Sequence, residues 1–289
     1  MATSAEIGNH AGTILLLTDF SDSAYNASKY AGALAEQLNA SRLLICHSEH
    51  IPTTMEIHLQ TVKRAEQEHQ RLLNQISDLK NDLKSRSNKT LQIDYFIDSR
   101  TLDEIVVHCH KEYGVRLLVM GISGKDPVER AFLGSNTIRI ARITEIPLLI
   151  VPEHSSYRTI KNIVFACDLR KVSKTTPTLA IRHIVQELGA ELSILNVSPD
   201  EQHPDRDILT EMTDLQPLWN YKKPEYHHTH HEHIAKGVTD FANEHHMQMV
   251  IAVPKTYGFF EGLFQHSLSS KLAYDLQLPI LLFKEEKLQ

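Results

Sequence analysis

The sequence predicts an α/β protein built from two tandem, doubly wound domains, each with a five-stranded parallel sheet. Three observations carry this. The 289-residue chain is long for one ordinary domain and comfortable for two. It repeats itself: TEIPLLIVP closes one half and LQLPILLFK closes the other, with Pro147 and Pro279 132 residues apart. Short apolar runs also alternate with apolar positions at helical spacing in both halves, the pattern of βαβ units.

The 132-residue offset aligns Ser135 with Ser267 and Ala141 with Ala273, and lays YGVRLLVMGISG over HHMQMVIAVPKT without a gap. At the fronts, GTILLLTDFSDSAYNASKYAG parallels KNIVFACDLRKVSKTTPTLAI, and Asp19 falls opposite Asp168 at an offset of 149. The 17-residue difference between the two offsets places a longer insertion in the first half. The expected domains are 1–153 and 158–289, with the seam at His154 to Arg158, where Pro152 and polar residues break the pattern.

In the first half, Ile14 to Leu17 is a continuous apolar run, as a central parallel strand requires. Ser21, Asp22 and Ser23 offer a helix cap, and Ala24, Ala27, Tyr30, Ala31, Leu34 and Leu38 follow at helical spacing. Leu43 to Cys46 is a second strand. Val62, Ala65, His69, Leu72, Leu73, Ile76 and Leu79 mark one extended amphipathic helix over about Glu56 to Lys84. Leu91 to Ile97 reads as a strand, and Leu102, Ile105, Val106 and Cys109 as a helix face. Leu117 to Met120 and Leu148 to Val151 are the last strands. The second half repeats the plan, with strands at Ile163 to Ala166, Leu192 to Val197, Glu225 to Thr229, Met249 to Val253 and Ile280 to Phe283. Pro199 to Lys223, which holds Trp219, has no clear period.

Thirty-six acidic and 30 basic residues leave a net charge of −6. No basic block interleaves with aromatics, so no nucleic-acid footprint is expected. No apolar run reaches membrane-spanning length, and MATSAEIGNHAG has no basic-then-apolar leader pattern. Cys46, Cys109 and Cys167 are far apart in apolar segments, which suits buried thiols in a cytoplasmic protein.

The chemistry concentrates in LLVMGISGKDPVERAFLGSNTIRIA. An apolar run enters Gly121, Gly124 follows, and Gly134 and Ser135 precede a helical pattern through Thr137, Ile138, Ile140 and Ala141. Strand, glycine-bearing loop and helix N-terminus together suit phosphate, because glycine admits close backbone approach and the helix end presents free N–H groups. In an open parallel sheet, ligands bind beyond the carboxyl ends of the strands, where Asp19 and Gly121 should share a crevice. Asp19 can accept hydrogen bonds from a ribose or base edge, or act only as a turn or cap residue.

The combination of ILLLTDFSDSA, LLICHS, LLVMGISG, FLGS and PLLIVP resembles the universal stress protein family in its tandem form, over essentially the whole chain. The glycine pattern is similar to that of the ATP-binding members. The resemblance implies a Rossmann-like sheet of the adenine nucleotide alpha hydrolase type, ATP as ligand with magnesium, and a stress-response role. By that likeness Asp19 meets the adenosine, and Leu17, Thr18 and Ser48 lie beside base and ribose. Met120 closes the adenine end. Gly121, Gly124, Gly134, Ser135 and Asn136 hold the phosphates, with Lys125 or Arg130 as candidate added charge. It also implies that the two last strands pair antiparallel in an internal pseudo-dimer; whether two chains associate into a homodimer stays open.

The second half departs from the pattern. Gly121 becomes Val253, Gly124 becomes Thr256 and Gly134 becomes His266, so ATP binding in the same manner is not expected there, although Asp168 and Ser267 remain. The run YHHTHHEH, Tyr226 to His233, puts His228 and His230 on one strand face. With His266 from the altered loop they form a candidate zinc site, against the alternative of a polar strand end without a ligand. Two further functional classes stay open: slow ATP hydrolysis or nucleotidyl transfer in the first pocket, and a protein-interaction module using the long helix or the second pocket. The first pocket lacks the paired carboxylate, Lys and Ser/Thr of a P-loop enzyme, which favours binding over turnover.

Overall fold

The computed structural model describes residues 12–49, 59–88, 90–123, 135–199, 210, 211, 213, 223–254 and 277–286. In the first half, strand β1 (Thr13–Leu17) leads to helix α1 (Asp22–Gln37) and strand β2 (Arg42–Ser48). The long helix α2 (Leu59–Arg86), β3 (Gln92–Asp98), α3 (Leu102–Tyr113), β4 (Val115–Ile122), α4 (Ser135–Ile143) and β5 (Leu148–Pro152) follow. The second half comprises β6 (Asn162–Ala166), α5 (Val172–Thr175), α6 (Thr178–Leu188), β7 (Glu191–Ser198), β8 (Glu225–His230), α7 (Ile234–Glu244), β9 (Met249–Ala252) and β10 (Ile280–Leu282). Among the described residues these strands form one ten-stranded sheet in the order β3-β2-β1-β4-β5-β10-β9-β6-β7-β8.

Each half is parallel within itself, and the halves join antiparallel through β5 and β10, with Ile150 opposite Ile280, Leu149 opposite Leu281 and Leu148 opposite Leu282. Leu149 and Leu281 are repeat partners at the 132 offset. An approximate two-fold axis therefore runs through this pair, and the two sheet edges cover each other. All five residues of β1 and all five of β5 are buried, because helices cover both faces of the sheet. One core layer gathers Ala27, Leu34 and Ile76 with Phe165, Ile181 and Val185; the other gathers Ile105, Cys109 and Ile140 with Val238 and Phe241.

The cap expected for α1 is present, and α3 carries a further cap at each end, beyond those expected from the sequence. The Ser21 hydroxyl accepts from Ala24 N–H and caps α1. Thr101 and Glu104 form a reciprocal capping box on α3, which ends at Gly114 in the left-handed region, φ 60°. The stripe of α2 differs from the expected one. From Glu66 onward, where burial is described, Ile76, Leu79 and Leu83 are buried, while His69 faces solvent and its Nδ1 bonds Glu49 at 2.9 Å. The part of that helix expected at 56–58, like Trp219, lies outside the described residues.

Between the halves, the single side chain of Gln37 closes four hydrogen bonds. Its Nε2 donates to the carbonyls of Ile160 (2.8 Å) and Leu188 (2.9 Å). Its Oε1 accepts from Ile160 N–H at 2.9 Å and from the Tyr157 hydroxyl. Arg116 reaches Glu187 with both terminal guanidinium nitrogens, and Lys284 pairs with Glu145 at 2.7 Å.

Candidate functional site

The carboxyl ends of β1, β2 and β4 lie side by side: Leu17 is in register with both Cys46 and Met120. The chain leaving β1 is held down by its neighbour, since Thr18 N–H donates to the Cys46 carbonyl at 2.9 Å. His47 Nδ1 bonds the Thr18 carbonyl at 2.8 Å. A carbonyl only accepts, so this nitrogen carries the proton. The ring packs beside Phe20, centroids 5.0 Å apart. Phe20 takes a left-handed φ of 61°, made affordable by its N–H bond to the Thr18 hydroxyl at 3.0 Å.

Asp19 is exposed at this rim. Its Oδ1 accepts from the N–H (3.0 Å) and hydroxyl (2.6 Å) of Ser21, closing the turn into α1. Its Oδ2 has no hydrogen bond among the described residues. Oδ1 thus makes the turn, and the Asp19 side chain is exposed. Ser48, half-buried at the end of β2, donates its hydroxyl to the Arg100 carbonyl at 2.8 Å and keeps its lone pairs. Asp98 shapes the same wall. Its carboxylate accepts from the Arg100 backbone (2.8 Å) and guanidinium (2.7 Å), and these bonds hold it down to a pKa of about 2.

Met120 is buried in the core layer that includes Leu17 and Cys46. Gly121 lies one residue further on and has a second reason to be glycine. A side-chain carbon there would stand 2.3 Å from the Ser23 carbonyl oxygen and 2.8 Å from Ala24 nitrogen. Its bareness lets the first turn of α1 rest on β4, a packing role that the motif alone does not reveal. Helix α4 begins at Ser135, so its first N–H groups have no partner within the helix. Asn136 is exposed, Thr137 is buried, and Arg139 ties α4 to Asp103 on α3 at 2.8 Å. Gly124, Lys125, Arg130 and Gly134 lie outside the described residues.

His47 is the neighbour that motif reasoning missed. The signal was present: at the 149 offset it matches Asn196, and both follow an apolar strand. In the structure Asn196 Nδ2 donates to the Cys167 carbonyl at 3.0 Å, the bond that His47 makes to Thr18.

The second half keeps this scaffold and changes its surface. Asp168 is buried, and Val253, at the position of Gly121, packs in the core. The helix after β6 is broken there: α5 stops at Thr175, and α6 starts beyond Pro177. A valine needs the space that the Ser23 backbone takes in the first half, so the two changes go together. Thr256, His266 and Ser267 lie outside the described residues. His228 bonds Asn196 Oδ1 through Nδ1 at 2.9 Å, and His230 ends the edge strand β8. No group of three His, Cys, Asp or Glu side chains that could hold a metal occurs among the described residues. A cavity of about 480 Å³ opens instead at the amino ends of β6 to β8, lined by Arg182, Val185, Leu192, Lys223, Glu225 and Met247. In the first half, Leu83 at the end of α2 lies against Gly32 of α1.

No described helix is long and apolar enough to cross a membrane. A sheet of two parallel halves joined antiparallel defines a tandem, doubly wound α/β protein. The Universal stress protein family matches residues 11–152, and through this first half the chain belongs to that family. A universal stress protein from Archaeoglobus fulgidus is similar in fold across the whole chain, with a TM-score of 0.66 and 12% identity over 96% of this chain and 98% of that one. A putative universal stress protein from Pseudomonas aeruginosa gives a TM-score of 0.56 and 14% identity over 95% and 93%. No curated protein matches the sequence significantly.

Proposed function

We propose that the first half, residues 1–153, binds ATP with magnesium in the crevice beyond β1, β2 and β4, and that the second half, 158–289, does not. The reading rests on one observation above the others: Asp19 leaves a carboxylate oxygen without a hydrogen bond among the described residues, at the strand ends where β1 and β4 lie in register. The donor set fits an adenine nucleotide. Asp19 Oδ2 and the Ser48 hydroxyl oxygen are acceptors for ribose and base donors. The first N–H groups of α4, at Ser135 and Asn136, suit phosphate oxygens. Leu17, Thr18 and Met120 supply backbone edge and apolar wall, and Gly121, Gly124 and Gly134 give the loop its close approach. The chain then acts as a nucleotide-binding protein of a stress response, with binding rather than turnover as its chemistry.

The test is titration with a fluorescent ATP analogue against wild type and Asp19→Asn. Asparagine keeps an oxygen for the two Ser21 bonds and replaces the outward acceptor by a donor. Affinity should fall about tenfold or more while circular dichroism is unchanged. Equal affinity in a folded variant removes Asp19 from the site.

A further inference from the structure

The cavity of about 480 Å³ at the amino ends of β6 to β8 is lined by the counterparts of an arginine cluster in the first half. In that cluster the Arg42 guanidinium stands over the Tyr113 ring at 5.5 Å, pairs with Asp94 at 3.4 Å and donates to the Gln92 side-chain oxygen at 3.3 Å. In the second half Glu191 takes the position of Arg42 at the 149 offset, and His245 takes that of Tyr113 at the 132 offset. Ser193, the counterpart of Leu44, is in register with Glu225 as Leu44 is with Asp94. Glu225 therefore holds the place of Asp94, and Lys223 that of Gln92. All four second-half residues line the cavity. The ring and the carboxylate of the cluster are kept, as His245 and Glu225, and a second carboxylate replaces the guanidinium between them. The walls are fixed. The His245 ring stacks on Phe241 at 4.1 Å. Met247 N–H donates to the Ala242 carbonyl at 2.8 Å and Gln248 N–H to the Asn162 carbonyl at 2.9 Å, which pins the turn after α7. A ligand has little ordering to impose on such walls, and the volume is that of a small-molecule site.

We infer that this cavity is a binding site for a small guanidinium compound that also carries a carboxylate, the class of free arginine. The guanidinium of the ligand takes the place of the Arg42 head group, with Glu191 and Glu225 as acceptors and the His245 ring beside it. A carboxylate has two oxygens and about four acceptor positions, so each can bond a ligand as well as a protein partner such as His227, whose Nε2 is 3.5 Å from Glu225. Guanidinium and carboxylate also match in shape, since two parallel N–H donors meet two oxygens. The apolar stem lies along Val185, Leu192 and Met247, and the carboxylate of the ligand meets Arg182 and Lys223 of the same cavity. The two signs of charge in the lining select against other occupants. A simple anion would face Glu191 and Glu225, a simple cation would face Arg182 and Lys223, and an apolar molecule would desolvate all four without return. This site lies at the amino ends of second-half strands, so the inference is independent of the nucleotide assignment at the carboxyl ends of the first half.

The experiment is isothermal titration calorimetry of the full-length protein with three probes: arginine, agmatine (the same guanidinium without the carboxylate) and leucine (the carboxylate without the guanidinium). Arginine should bind saturably, one per chain, with a Kd below about 1 mM, and agmatine and leucine at least tenfold more weakly, about 1.4 kcal/mol. Glu225→Gln should weaken arginine about tenfold by removing a charged acceptor. Glu191→Arg, which puts the first-half side chain into the second half, should abolish binding while circular dichroism stays that of wild type. No binding at up to about 10 mM arginine would overturn the inference. So would leucine or agmatine binding as tightly as arginine, or undiminished arginine affinity in folded Glu225→Gln.

Discussion

The carbonyl oxygen of Ser23 lies 2.3 Å from where a side-chain carbon on Gly121 would stand. The close approach seats the N-terminus of α1 on the end of β4, and so fixes Asp19 and the turn at Ser21 relative to that strand. In the second half the corresponding residue is Val253, and the helix is broken at Thr176 and Pro177. One residue thereby separates two different surfaces built on one scaffold.

Gly121→Ala should destabilise the protein by about 1–3 kcal/mol, because the obstacle is backbone and cannot rotate away. Urea unfolding followed by circular dichroism measures it. A midpoint equal to wild type would show that α1 moves freely off β4.

His47 and Asn196 make the same bond to the carbonyl at the end of their neighbouring strand. His47→Asn should therefore stay within about 0.5 kcal/mol of wild type, and His47→Leu should lose about 1–2 kcal/mol by orphaning the Thr18 carbonyl. Equal urea midpoints for the two variants would contradict this.

Gln37 satisfies Ile160, Leu188 and Tyr157 at the junction of the halves. Gln37→Ala should cost about 2–4 kcal/mol. Gln37→Glu should be no milder despite its shape, since it sets an oxygen against two carbonyls. A chemical denaturation series on the three proteins checks both statements.

Asp98 gives a pH signature. Its folded pKa is about 2, below the unfolded value of about 3.9, because Arg100 bonds its charged form. Its stabilising contribution is complete above about pH 5 and disappears as pH falls toward 2. Asp98→Asn should flatten the stability curve in that window alone, as read from urea midpoints at a series of pH values.

The strands were legible because burial on both faces leaves nothing but apolar runs, as in Ile14 to Leu17, and the start of α1 because Ser21 caps it. The antiparallel join through Leu149 and Leu281 followed from the family resemblance. Partnerships across the chain were not legible. Nothing near Gly121 announces Ser23, nothing near His47 announces the Thr18 carbonyl, and Gln37 sits in its helix like any polar residue. The stripe on α2 was misplaced at His69 because a histidine at helical spacing matches core and surface alike, and only the Glu49 carboxylate decides which. The break between α5 and α6 was not anticipated; it falls at Pro177, whose ring cannot follow the helix of the first half.

The central claim is one nucleotide site per chain, and native mass spectrometry of the full-length protein titrated with magnesium ATP tests it most directly. One nucleotide per chain, lost when Gly134→His carries the second-half residue into the first, is the expected result. Two nucleotides per chain, or one that survives the substitution in a folded protein, would contradict it.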